Sequence, residues 1–129
     1  MGNIHKLYDI LLVSIGAALG VNTRFIIFKK LQRININKNI VILLINTLAC
    51  LLFGAFFSAL EQLNNLKFSY HIGLFVLIGF LGSLSTFSTF ISDLFELLIQ
   101  NKLLRGLKLF IVTIILGLVA FQLGRLIGN

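Results

Sequence analysis

Charged residues are scarce in this sequence. Of its 129 residues only 12% are Asp, Glu, Lys or Arg, whereas 58% are hydrophobic. A soluble domain has about 25% charged residues, so this composition excludes a soluble monomer. It also excludes a disordered chain, because disorder requires low hydrophobicity.

Cysteine and histidine are also rare, and proline is absent. Cys50 is the single cysteine, which excludes a disulfide within the chain, and there is no proline to mark a linker. Two histidines, one cysteine and four carboxylates are spread along the chain, too thinly for a metal cage of side chains. The sequence pattern indicates no assembled set of a nucleophile and a base and no metal cluster, so we do not expect an enzyme.

Long apolar runs are what the sequence has in abundance. A helix that crosses a bilayer needs about 20 mostly apolar residues, and four segments meet this criterion. The runs are continuously apolar, whereas the strands of a membrane barrel alternate. We therefore predict an all-α membrane protein with a single domain over residues 1–129. Its spans are expected at about 10–28, 40–60, 72–98 and 107–126.

The basic residues predict the orientation of these spans. A net charge of +7 could indicate nucleic acid in a soluble protein, but here the basic residues flank apolar runs and mark the cytoplasmic side. The first and third loops, with the adjoining span ends, carry seven of them and the opposite side carries three. We expect both termini outside the cell membrane. The seven are Lys29, Lys30, Arg33, Lys38, Lys102, Arg105 and Lys108, and the three are Lys6, Lys67 and Arg125.

The third span is too long and too polar at its centre for a simple helix. Its length of about 27 residues gives about 40 Å of helix against a hydrocarbon core of about 30 Å. Gly79 and Gly82 are followed by five hydroxyl residues within seven positions, which disfavours a continuous helix. A break would free carbonyl oxygens that can hold a cation. The alternative is a regular helix whose hydroxyls bond to the preceding turn.

A few side chains in the spans suit an anion. Phe87 and Phe90 share a helix face, and a phenylalanine edge is electropositive without offering a proton; contact with lipid is the alternative. Asn46 in span two has two N–H donors, which serve either another helix or a solute. Thr113 supplies a hydroxyl in span four. No charged residue lies well inside a span, which argues against a proton-coupled carrier.

In their order along the chain, these motifs resemble the CrcB/Fluc family of fluoride channels. The resemblance covers all four spans, and its most specific element is the Thr-Phe-Ser-Thr-Phe string. It implies a channel that exports cytoplasmic fluoride passively and so lowers its toxicity. The residues that carry it are Gly16, Gly20, Arg24, Asn46, Gly82, Ser85, Thr86, Phe87, Ser88, Thr89, Phe90, Thr113 and Gly117.

The resemblance also implies an assembly and a site. Two antiparallel four-helix subunits would form a dual-topology-type dimer, with fluoride pores along the interface. A structural Na⁺ would bind the backbone carbonyls of Gly82 and Ser85, and Arg24 would be a vestibule or helix-end charge. The pore residues would be Asn46, Phe87, Ser88, Thr89, Phe90 and Thr113.

Several positions depart from the family pattern. Val41-Ile42 and Ala49-Cys50 stand where the family usually has Gly-Thr and Gly-Ser, and Ser83 replaces a glycine. These changes, with the one-sided loop charge, favour a heterodimer with an oppositely oriented paralogue, while a homodimer remains open. The rival functions are a small antiparallel multidrug exporter and a non-transporting accessory protein. The exporter needs an acid inside span one, where Asp9 at the membrane edge is the only candidate.

Overall fold

The structure is a computed structural model that describes residues 2–63 and 66–129, and this part is almost entirely helical. Four of its helical rods are long and apolar enough to cross a membrane, which confirms the predicted all-α, four-span architecture. Each rod extends beyond its predicted apolar core at both ends. The helices are α1 (Gly2–Gln32), α2 (Lys38–Glu61), α3 (Leu66–Ile72), a π-helix (Gly73–Leu81), α4 (Gly82–Leu84), α5 (Phe87–Ile99) and α6 (Leu103–Gly128).

The third rod runs from α3 to α5 and is broken at Ser85 and Thr86. Both residues have extended backbone, with φ −76° and ψ 150° at Ser85 and φ −136° and ψ 119° at Thr86. The predicted break is therefore confirmed. It lies within the hydroxyl residues and after the two glycines, because Gly82–Leu84 still forms a helical turn.

The helices pack as two parallel pairs. In the first pair, α1 lies against the third rod, and a Cβ added at Gly20 would overlap the Phe80 carbonyl oxygen. In the second pair, α2 lies against α6, and a Cβ at Gly124 would overlap the Leu51 carbonyl oxygen. Small residues permit this close backbone approach, which is the usual basis of helix association in lipid.

A small apolar core joins the two pairs. It lies between α2 and the third rod, whereas most of the other large apolar side chains are exposed. An outer surface of this kind requires a bilayer or another protein around it. The core residues are Val41, Ile45, Ala49, Leu77, Leu81 and Leu84.

Candidate functional site

Asn46 connects α2 to the break. Its side-chain oxygen accepts a hydrogen bond of 3.0 Å from the Thr86 backbone N–H. In a continuous helix that N–H would donate to the Gly82 carbonyl, four residues earlier. The bond therefore stabilises the interruption and leaves the Gly82 oxygen without its helical donor. No hydrogen bond of the Asn46 amide nitrogen occurs within the described ranges 2–63 and 66–129, and Asn46 lines the neighbouring cavity.

Arg24 and Ser83 connect α1 to the other side of the break. Arg24 Nη1 lies 3.5 Å from the Ser83 carbonyl oxygen, which α5 does not satisfy because the helix is interrupted. The Ser83 hydroxyl lies 3.0 Å from both the Ala17 and the Phe80 carbonyl oxygens. The departure from glycine at Ser83 thus adds a polar contact between α1 and the third rod.

Arg24 and Asn46 line one cavity of about 330 Å³, here called the donor cavity. Its walls bring together a guanidinium, a carboxamide and hydroxyl groups among apolar side chains. Thr86 Oγ1 donates to Thr89 Oγ1 at 2.9 Å, so these hydroxyls are linked. The lining residues are Val21, Asn22, Arg24, Phe25, Phe28, Ile42, Ile45, Asn46, Thr86 and Thr89.

A second cavity of about 500 Å³, here called the break groove, lies along α2, α6 and the break. It contains Gly82, Ser85 and Thr113, so the structure places these three together and apart from Asn46 and Thr89. Thr113 Oγ1 donates to the Leu109 carbonyl at 2.7 Å, which uses its only proton within α6. The lining residues are Ala49, Cys50, Phe53, Leu81, Gly82, Ser85, Thr113, Ile114, Gly117, Leu118 and Phe121.

The two phenylalanines of the signature differ sharply in burial. Their ring centroids are 6.4 Å apart with planes at 49°, but Phe87 is 75% exposed and Phe90 only 8% exposed. Ser88, between them, is also exposed. Sequence reasoning missed Phe110 on α6, whose ring stacks on Phe90 at 6.1 Å. A phenylalanine in an apolar helix gives no signal of such a contact.

One charged side chain is buried near the end of the third span, although we expected no charge well inside a span. Asp93 in α5 is 2% exposed and lies 3.3 Å from Lys38 Nζ at the start of α2. The Asp93 Oδ1 atom has no aligned hydrogen-bond partner, so this contact is a close ion pair without a hydrogen bond. Asp93 lies less than two turns from the end of α5, near the first and third loops.

Asp9 lies at the opposite end of the molecule. Its carboxylate accepts a hydrogen bond of 3.1 Å from the Tyr70 hydroxyl and lies 4.0 Å from His71 Nε2. Asp9 therefore ties the start of α1 to α3 and does not project into the middle of a span.

A cation at the break would have to use backbone oxygens. No group of three His, Cys, Asp or Glu side chains occurs in the part of the chain that the structure describes. Gly82 and Ser85 both line the break groove. Since the Thr86 N–H donates to Asn46, the Gly82 carbonyl lacks its helical donor, and a carbonyl freed in this way is suited to a cation.

Four membrane-spanning helices, one of them interrupted at a polar site, define a multi-pass membrane protein. Residues 11–125 match the family model described as "CrcB-like protein, Camphor Resistance (CrcB)". The chain belongs to this family.

Three relatives cover between 78% and 94% of the chain. "Fluoride-specific ion channel FluC 2" of Prochlorococcus marinus (strain NATL2A) is 51% identical over 94% of this chain and 98% of its own length. "Fluoride-specific ion channel FluC" of Pasteurella multocida is 39% identical over 78% of this chain and 77% of its own length. The protein of that name from Francisella philomiragia is 33% identical over 89% of this chain and 90% of its own length. The predicted family membership is confirmed.

Proposed function

We propose that this chain is a subunit of a fluoride-specific channel that lets cytoplasmic fluoride leave the cell passively. The observation that carries the proposal is the geometry of Asn46: its oxygen accepts from the Thr86 N–H, and the residue lines the donor cavity, so its amide protons are left for an ion there. The names of its relatives support the same ion. The chain acts as a channel and not as an enzyme.

Weak and repeated donors suit fluoride. The ion is small and strongly hydrated, so a pore must replace its water without binding it too tightly. Amide N–H groups, hydroxyls and phenylalanine edges do this, whereas a bare lysine in the pore would hold the ion. Asn46, Thr89, Phe87 and Phe90 are the residues to which we assign this task. Arg24, at the donor cavity, supplies the positive charge that attracts the anion toward it.

The working unit in this proposal is an antiparallel dimer. The break groove is apolar apart from a few groups at the break, and it is open on one side. A second four-span chain in the opposite orientation would cover it and bring two breaks together. Thr113 and the α5 phenylalanines would then approach residues of the other subunit, which explains why one chain alone does not assemble them. The partner is a second copy or a related chain, and the surrounding solvent is the cell membrane.

A structural Na⁺ at the centre of this dimer is part of the proposal. The Gly82 and Ser85 carbonyls would hold it from each subunit, in the role that family resemblance implies. Because carbonyls and not side chains are the ligands, Ser85→Thr should be tolerated. Replacing Na⁺ by N-methylglucamine during purification should dissociate the dimer or lower flux. Unchanged dimer and flux without any Na⁺, measured by light scattering and efflux, would remove the ion from the proposal.

Fluoride efflux from liposomes tests the function. Vesicles loaded with potassium fluoride and containing the purified chain, alone and together with a related chain of opposite loop charge, receive valinomycin to permit net anion flow. Fluoride should appear outside, recorded by an ion-selective electrode, and potassium chloride vesicles should stay loaded. Equal chloride and fluoride release would refute selectivity, and no fluoride release from either preparation would indicate an accessory protein. Proton-driven export of a quaternary ammonium dye would instead support the multidrug exporter.

A further inference from the structure

Phe110 on α6 contacts the predicted pore pair without belonging to any motif of the chain. Its ring centroid lies 6.1 Å from that of Phe90, and the two planes differ by only 23°. Phe90 also contacts Phe87, with ring centroids 6.4 Å apart and planes at 49°. Phe90 therefore contacts one ring of its own helix and one ring of α6.

We propose that Phe110 is a positioning residue for anion recognition: it holds the Phe90 ring so that a ring edge, and not a ring face, is presented to the passing ion. This inference rests on the proposed channel function. The face of an aromatic ring is electronegative and its edge is electropositive. A near-parallel, offset stack occupies one face of Phe90 and leaves its edges available.

The ring needs such support because its own torsion is weakly restrained. The χ2 angle of phenylalanine has broad, two-fold minima, so an unsupported ring turns its face and edge alternately toward a neighbour. Phe87 is a poor support, since it lies on the same helix and is 75% exposed. Rotation of α5 about the break would move Phe87 and Phe90 together.

The support from Phe110 comes from a more rigid part of the molecule. Helix α6 is locked to α2 by the close backbone contact at Gly124, whereas α5 follows the extended residues Ser85 and Thr86. Phe110 also lies one turn before Thr113, so the two share a face of α6. The stack thus links the orientation of the Phe90 ring to the α2–α6 pair.

Three variants test this role in the liposome assay. Phe110→Leu keeps apolar bulk but removes the ring, Phe110→Tyr keeps the ring, and Phe56→Leu is the control. Phe56 and Phe110 are both 42% exposed. The free energy of one aromatic contact corresponds to a factor of about threefold to tenfold in flux or selectivity. We expect Phe110→Leu to lower fluoride flux and the fluoride-to-chloride ratio by that factor, and the other two variants to match the original chain.

A spectroscopic measurement separates positioning from a general structural role. With Phe90 selectively labelled, aromatic NMR in detergent should detect faster ring flipping in Phe110→Leu and unchanged flipping in Phe110→Tyr and Phe56→Leu. Phe110→Met replaces Phe110→Leu if the leucine variant does not yield a folded protein. Unchanged flux and selectivity in the ring-free variant, or lowered flux with unchanged flipping, would overturn the inference. Absence of fluoride flux in the original chain, both alone and together with the related chain, would instead overturn the proposed function.

Discussion

The carboxamide of Asn46 has an acceptor end and a donor end, and the break uses only the first. The oxygen accepts from the Thr86 N–H at 3.0 Å, and Asn46 lines the donor cavity together with Arg24. A side chain with both an acceptor and a donor is required only if supporting the break and contacting the ion are separate tasks. Substitutions that remove one end or both can therefore distinguish the support of the break from contact with the ion.

Asn46→Asp and Asn46→Leu are the informative pair. The aspartate keeps an acceptor for Thr86 but loses both donors, so flux should fall by more than about tenfold while stability is largely retained. The leucine also strands the Thr86 N–H, which should cost about 1–3 kcal/mol of stability. Flux and the free energy of unfolding in detergent measure the two effects. Equal flux for the aspartate variant and the original chain would mean that Asn46 only connects helices.

Phe87 and Phe90 differ in burial but share one predicted role. Replacing either by isoleucine preserves apolar bulk and removes the electropositive ring edge. Fluoride flux should decrease in both variants, while size-exclusion profiles show that folding and assembly persist. For Phe87, which is 75% exposed, the result also decides whether its ring faces the ion or lipid. Two variants with unchanged flux would assign both rings to packing.

At the scale of helices, the molecule consists of two closely packed parallel pairs joined through a small core. The α1 pair carries Arg24 and the break, and the α2 pair carries Asn46 and Thr113. Contacts from both pairs converge on the third rod, since Asn46 and Arg24 each bind a backbone atom near its interruption. Loosening either pair should therefore alter the break even when no pore residue changes.

Gly124→Ala tests the α2–α6 contact, and Gly106→Ala is its matched control on the same helix. A Cβ at Gly124 would overlap the Leu51 carbonyl oxygen, whereas at Gly106 it would lie 3.8 Å from Leu97 Cβ, an ordinary contact. Both changes gain helix propensity, so their difference isolates the packing. We expect Gly124→Ala to be less stable than the control by about 1–3 kcal/mol. Equal unfolding midpoints in a denaturing detergent series would contradict close packing.

Sequence reasoning identified the helices better than their contacts. The four spans follow from apolar length, and the break follows from glycine and hydroxyl residues that favour local backbone bonds over a helix. The π-helix Gly73–Leu81 was missed because an uninterrupted apolar run fits either helical hydrogen-bond pattern. The stack on Phe90 and the Lys38–Asp93 pair each join residues far apart in the chain. No local pattern reports such contacts.

For the whole molecule, the distribution of basic residues predicts one orientation. Seven of them lie on the side of the first and third loops and three on the other, and we expect an imbalance of this size to commit most copies to one direction. An antiparallel homodimer needs both directions. The prediction is therefore a fixed orientation, with both termini outside and an inverted related chain as partner.

Labelling of single cysteines tests this orientation in cells. In a Cys50→Ala background, Leu63→Cys marks the second loop and Ile34→Cys the first; the native side chains are 41% and 68% exposed. A membrane-impermeant maleimide should label the second loop in intact cells and the first only after permeabilisation. Equal labelling of both in intact cells would mean dual insertion, and a homodimer would then suffice.

The position of the break along the chain has a consequence for biosynthesis. A backbone N–H or C=O without a partner costs several kcal/mol in hydrocarbon, so the third rod without its partners would carry an unpaired polar defect at the break. Both side chains that contact this defect, Arg24 and Asn46, lie on helices that are synthesised earlier. The interrupted helix is therefore synthesised after the two helices that carry its polar partners.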